Sequence, residues 1–198
     1  MLADPDADAA AARRVQEVLG GLSSLRAEFR QTVIDVEGRV IETAEGTMAL
    51  ARPGRFRWDY RTPEQLIVSD GDTVWFYDVG LEQVTIRGAA ETLQGTPAML
   101  LAGQGDLAAE FSIADAGSTG GVSWSVLKPR QEDADFRELR LGLAAGELER
   151  MVLLDRLGQT TELAFDRIER NPRLADSQFT FTPPAGVDVV GRAANGQN

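Results

Sequence analysis

Any chemistry in this 198-residue chain has to be done without histidine or cysteine. Losing imidazole removes the commonest general base and metal ligand, and losing the thiol removes thiolate nucleophiles, thiolate metal sites and disulfides. Hydroxyls, carboxylates, Lys and Arg remain. Ser23, Ser24 and Ser69 have neither a GxSxG nor an SxxK setting, so no activated nucleophile is in view. Asp70 and Asp72 flank Gly71, where carboxylates serve the turn itself. Glu132, Asp133 and Asp135 lack the spacing and ligand count of a calcium loop. Gly20-Gly21 and Gly120-Gly121 belong to no phosphate-cradling pattern. The expectation is a protein that is not an enzyme, with no metal and no cofactor.

Binding chemistry is easier to find. Phe56, Trp58 and Tyr60 fall at period 2, which in a strand points all three to one face and Arg55, Arg57 and Asp59 to the other. Such a stripe is either sheet core or the wall of an apolar ligand cavity, and the pattern leaves both open. Arg52, just before Pro53, is either a solvated strand-end residue or a donor to carbonyls at a cavity mouth. Thr96 and Pro97 look like a helix N-cap and first helical position, so the segment to Leu101 is either a core-packing helix or a movable cover.

The elements that would position these residues can be read along the chain. Asp8 caps a helix over about 8 to 20, with Ala11, Val15, Val18, Leu19 and Leu22 at helical spacing and Gly20-Gly21 at its end. From Leu25 the period becomes two. A turn over Asp35 to Arg39 separates that strand from a long one over Val40 to Arg52, and Pro53-Gly54 precedes Arg55 to Tyr60. Asp70-Gly71 predicts a hairpin of type I′, with Ile67, Val74 and Phe76 on one face and Leu66, Val68, Trp75 and Tyr77 on the other. Both faces of that hairpin need a cover. Gly88 to Gly103 interrupts the β pattern with one or two short helices. Strands resume at 111–114, 122–128, 136–143, 147–155 and 160–169, and Phe179, Phe181 and Pro183-Pro184 suggest a last edge segment.

The formal charge of −11, from 20 basic and 31 acidic residues, opposes nucleic-acid binding and attachment to an anionic membrane surface. No run approaches the roughly 20 apolar residues that span a bilayer. The start MLADPDADAA lacks the basic and apolar regions of a signal peptide. One layered β-rich domain over 1–198 is expected, with flexible ends at 1–7 and 191–198. Pattern alone does not separate a curved sheet from a closed barrel.

The ordered segments LRAEFRQ, EGTMALARPGRFRW, LIVSDGDTVWFYD, EQVT, GTPAMLL and FTFTPPAGV, from about Leu22 to Val190, resemble the LolA family of periplasmic lipoprotein carriers. The resemblance implies an incomplete, strongly curved antiparallel β-barrel whose concave apolar face is covered by short helices. It also implies an exported periplasmic chaperone, its signal peptide removed, working as a monomer that is not embedded in a membrane. Such a chaperone receives acylated lipoproteins from an inner-membrane ABC transporter (LolCDE-like) and passes them to an outer-membrane acceptor (LolB-like).

On that resemblance the acyl-chain cavity comprises Phe29, Met48, Leu50, Phe56, Trp58, Tyr60 and Trp75, and the lid and its gate comprise Arg52, Thr96, Pro97, Met99, Leu100 and Leu101. Arg52 matches the arginine that bonds the helical cover in the closed form, and Phe56 matches a cavity aromatic implicated in transfer. The chain departs from the family at Asp78-Val79-Gly80, which lacks an expected proline, and between Gly103 and Phe111. A LolB-like acceptor, which would carry an N-terminal cysteine anchor, and a periplasmic lipid-sensing half-barrel are the competing readings.

Overall fold

The computed structural model describes residues 5–89, 101, 107–132, 134 and 136–192. Helix α1 (Pro5–Gly20) leads into β1 (Ser24–Ile34), β2 (Val40–Ala51), β3 (Arg55–Thr62), β4 (Glu64–Asp70), β5 (Thr73–Asp78) and β6 (Gln83–Gly88). A short α2 (Leu107–Glu110) precedes β7 (Phe111–Thr119), β8 (Val122–Pro129), β9 (Phe136–Ala144), β10 (Glu147–Asp155) and β11 (Thr160–Arg170). A 3₁₀ turn (Asp176–Phe179) and β12 (Asp188–Gly191) follow.

Among the described residues the strands form one 12-stranded sheet in the order β12-β6-β5-β4-β3-β2-β1-β11-β10-β9-β8-β7. The order is linear, with β12 and β7 at its ends. The sheet is therefore open, which answers the question that periodicity left between sheet and closed barrel. Strands β2 to β6 and β7 to β11 pair antiparallel, while β12 joins β6 in parallel.

Two compact units divide the chain. The first is Met1–Leu22, Arg30–Thr43 and Gly105–Asp166; the second is Ser23–Phe29, Ala44–Gln104 and Arg167–Asn198.

In the first unit α1 packs on β7 and β8. Ala11, Val15 and Leu19, spaced four apart and therefore on one helical stripe, are its buried residues. Beneath them the sheet alternates, so Leu127, Leu139, Leu141 and Met151 are fully buried. Phe111 stacks on Phe136 with ring centroids 6.1 Å apart.

The helix begins at Pro5, three residues before the position expected. Asp8 does not cap it: the Asp8 carboxylate accepts the backbone N–H of Asp115 at 2.8 Å, so the acid is used between helix and strand. Arg14 Nη2 donates to the Asp115 carboxylate at 2.6 Å, completing a two-way tie. That hydrogen bond to Arg14, followed by the Gly117 N–H, holds the Asp115 carboxyl below its ordinary value.

A depressed folded value means the tie is complete above the unfolded Asp value of about 3.9 and is lost as pH falls through the folded one. Hydrogen exchange, corrected for intrinsic rates, is expected to show α1 losing protection before β9 and β10 as pH drops below about 4. Asp115→Asn should remove most of that acid dependence. Equal acid sensitivity in the variant would count against the tie.

In the second unit the β4–β5 hairpin forms as expected, with Ile67 opposite Phe76 and Val68 opposite Trp75. Its turn is not type I′, because only Gly71 has positive φ, at 109°. Asp70 instead accepts the N–H groups of Asp72 and Thr73 at 2.9 and 2.8 Å, a side-chain-capped turn in which Asp70 needs no positive φ. Residues 179–181 are not an edge strand. Phe179 ends the 3₁₀ turn, and the edge strand is β12, whose Gly191 falls at the start of the tail expected to be flexible.

Candidate functional site

Register assigns the side chains of the second unit to two faces. Met48 lies opposite Trp58 and Leu50 opposite Phe56 on β2 and β3. Trp58 is in turn opposite Ile67, and Ile67 opposite Phe76. Because directly paired residues share a face, Met48, Leu50, Phe56, Trp58, Tyr60, Ile67 and Phe76 form one apolar surface. Phe29 joins it from β1, edge-on to Trp58 at 5.8 Å and to Tyr60 at 5.0 Å. Phe29, Met48, Leu50, Phe56 and Trp58 are all buried, and Tyr60 is half-buried.

Trp75 is the exception among the residues expected here. It is opposite Val68 and Ile86, so it belongs to the other face; Ile67 and Phe76, assigned to the hairpin but not to the cavity, continue the aromatic stripe instead. The other face has its own cover. Arg55 lies 5.5 Å over the ring of Phe179 and bonds Asp176 at 2.5 Å, and Tyr77 meets Phe181 at 5.7 Å. The C-terminal segment therefore provides the second cover that a two-sided apolar hairpin demands.

A groove of about 500 Å³ also lies in this unit, lined in part by Arg26, Glu28, Arg57 and Asp59. Its charges are paired: Arg26 with Glu169 at 3.2 Å, Arg167 with Glu28 at 2.7 Å and Arg57 with Asp59 at 2.8 Å. Ion pairs therefore border this groove alongside Ala27, Met48 and Ala49, whereas the aromatic face is built from apolar side chains.

Arg52 stands where β2 has just ended. Its backbone N–H donates to the carbonyl of Ser23 at 2.9 Å, and its Nε donates to the carbonyl of Leu101 at 3.1 Å. Partial burial lowers the guanidinium pKa from its ordinary value. Leu101 is itself buried, at 1 % exposure. Of the expected lid residues, Thr96, Pro97, Met99 and Leu100 lie outside the described residues; Leu101 is described, and its carbonyl accepts the Arg52 Nε.

Gly46 is a site residue that pattern did not single out. A Cβ there would meet the Asp59 carbonyl oxygen at 1.9 Å and the Phe29 ring at 3.0 Å. The β2–β3 register also shifts there, Glu45 facing Thr62 and Gly46 facing Tyr60. Its sequence signal was a glycine inside a strand, which marks a bulge or a close approach.

The chain is similar to known proteins over most of its length. Residues 20–182 match the family model described as outer membrane lipoprotein carrier protein LolA. An outer-membrane lipoprotein carrier protein of Dechloromonas aromatica is 44% identical over 186 residues, covering 93% of this chain and 89% of that protein. One from Methylobacillus flagellatus is 43% identical over 170 residues, covering 85% and 83%. A LolA superfamily protein from Nitrosomonas europaea has the same fold at 11% identity, with a TM-score of 0.52 and coverage of 88% and 98%. An uncharacterized conserved protein from Thermus thermophilus superposes with a TM-score of 0.58 at 18% identity, covering 93% and 98%. The open sheet, the aromatic face and the match over nearly the whole chain make this protein a member of the LolA family of outer membrane lipoprotein carriers.

Proposed function

We propose that this protein is a periplasmic carrier that shelters the acyl chains of outer-membrane lipoproteins against the face built by Phe29, Met48, Leu50, Phe56 and Trp58. The observation that carries the reading is a continuous apolar face in a chain where the Arg52 Nε donates to the Leu101 carbonyl. Each acyl CH₂ exposed to water costs about 0.8 kcal/mol, so cargo with several chains carries a penalty on the order of tens of kcal/mol. The face offsets that penalty during transit without any covalent step, and no catalytic group is required. The source is an inner-membrane ABC transporter and the destination an outer-membrane acceptor, with the carrier working as a monomer exported to the periplasm.

The face assignment is tested with a triacylated lipopeptide and a photo-crosslinking residue placed singly at positions 56, 60 and 75. Crosslinks are expected from positions 56 and 60 and not from 75. Strong labelling from 75 with none from 56 and 60 would move the acyl site to the opposite face and overturn the proposal.

A further inference from the structure

Trp58 is 7 % exposed, and its Nε1 is buried with no hydrogen-bond partner among the described residues. Indole N–H can only donate, so this group requires an acceptor. Leaving such a donor unsatisfied is costly, and folded proteins rarely retain one without a reason. Its neighbours on the face supply none: Met48 and Ile67, its cross-strand partners, offer hydrocarbon and a weakly accepting thioether. The edge-on contact with Phe29, at 84° between ring planes, gives at best a weak contact with a π cloud.

A wall needed only to solvate hydrocarbon would be served equally by phenylalanine at this position. The chains of an acylated protein are more than hydrocarbon, because each is joined to its head group through an ester or amide carbonyl. That oxygen is a strong acceptor positioned where the apolar chain begins.

We propose that Trp58 Nε1 donates to an acyl carbonyl of the cargo, so that the site recognises the acyl linkage and not chain burial alone. The inference rests on the carrier reading and deepens it by naming the group that is read. An ether-linked lipid has the same hydrocarbon but no carbonyl oxygen projecting at that position, so the site should discriminate between the two linkages.

The test is competition by dioctanoylglycerol and by its dioctyl ether analogue against a fluorescent fatty-acid probe, using the native protein and Trp58→Phe. The native protein is expected to prefer the ester by about 5- to 10-fold, and the variant to bind the two within about 2-fold of each other. The ¹⁵N-indole spectrum is read in parallel on the native protein. The Trp58 N–H signal should move downfield with the ester and not with the ether, while Trp75 and Trp124 act as internal references. That signal decides the matter alone if Trp58→Phe folds poorly. An unmoved Trp58 signal, or an ester preference unchanged in a folded variant, would overturn the inference and leave the carrier reading intact. Failure of either lipid to displace the probe would remove both.

Discussion

Arg52→Leu is expected to tighten acyl-ligand binding by about 10- to 150-fold and to slow onward transfer to the acceptor correspondingly. The hydrogen bond from Arg52 Nε to the Leu101 carbonyl is 3.1 Å long and has a charged donor. Such a bond contributes about 1.5 to 3 kcal/mol, and about 1.4 kcal/mol is a factor of ten in an equilibrium. On the proposed function this bond belongs to the cargo-free arrangement, so its free energy is recovered when cargo leaves. Without it, release loses that contribution, and by linkage the bound state is favoured by the same factor.

Leucine is also easier to bury than the guanidinium, whose partial burial already lowers its pKa, so the variant should fold. Arg52→Lys keeps a charge but not the planar fork, and should fall between the two. The measurements are the dissociation constant of a fluorescent fatty acid and the transfer rate of a loaded lipoprotein to purified acceptor. Native values for both in Arg52→Leu would contradict the gate.

Gly46→Ala is expected to destabilise the protein by about 4 kcal/mol or more, lowering Tm by roughly 8 to 16 °C. Alanine adds only a Cβ, but that atom would sit 1.9 Å from the Asp59 carbonyl oxygen. The obstacle is backbone of the neighbouring strand, so no side-chain rotation relieves it. Relief requires β2 and β3 to separate at the register shift, where Phe29 packs on Tyr60 at 5.0 Å. The aromatic face is therefore expected to loosen along with the fold.

Gly20→Ala is the control, because a Cβ there meets nothing within 4 Å. It should be neutral or stabilising by up to about 1 kcal/mol. Thermal unfolding of both variants checks the pair, and a Gly46→Ala protein within about 1 °C of the native Tm would refute the close-approach argument.

Period-2 alternation carries most of what can be read without the fold. It places Phe56, Trp58 and Tyr60 together because strand geometry allows no other arrangement once Arg55 to Tyr60 is a strand. It also divides Ile67 and Phe76 from Val68 and Trp75 correctly, whereas the set implied by the resemblance crosses that parity at Trp75.

Local signals fail where a residue's partner is distant. Asp8 looks like a cap because nothing nearby shows Asp115, 107 residues on. Leu101 is 49 residues from Arg52, and only the family resemblance connects them in sequence. Strand β12 escapes a sequence reading because its four exposed residues depend on pairing with β6 and have no alternation of their own. The unsatisfied Trp58 N–H is not legible at all, since satisfaction is decided by three-dimensional packing.

The most direct test of the account is to incubate the purified protein with energised spheroplasts that carry a matched transporter and ask what enters the soluble fraction. The expected result is an outer-membrane lipoprotein released as a one-to-one complex with this protein, with none released by buffer. Absence of any released lipoprotein, while a known carrier releases it from the same spheroplasts, would contradict the central claim.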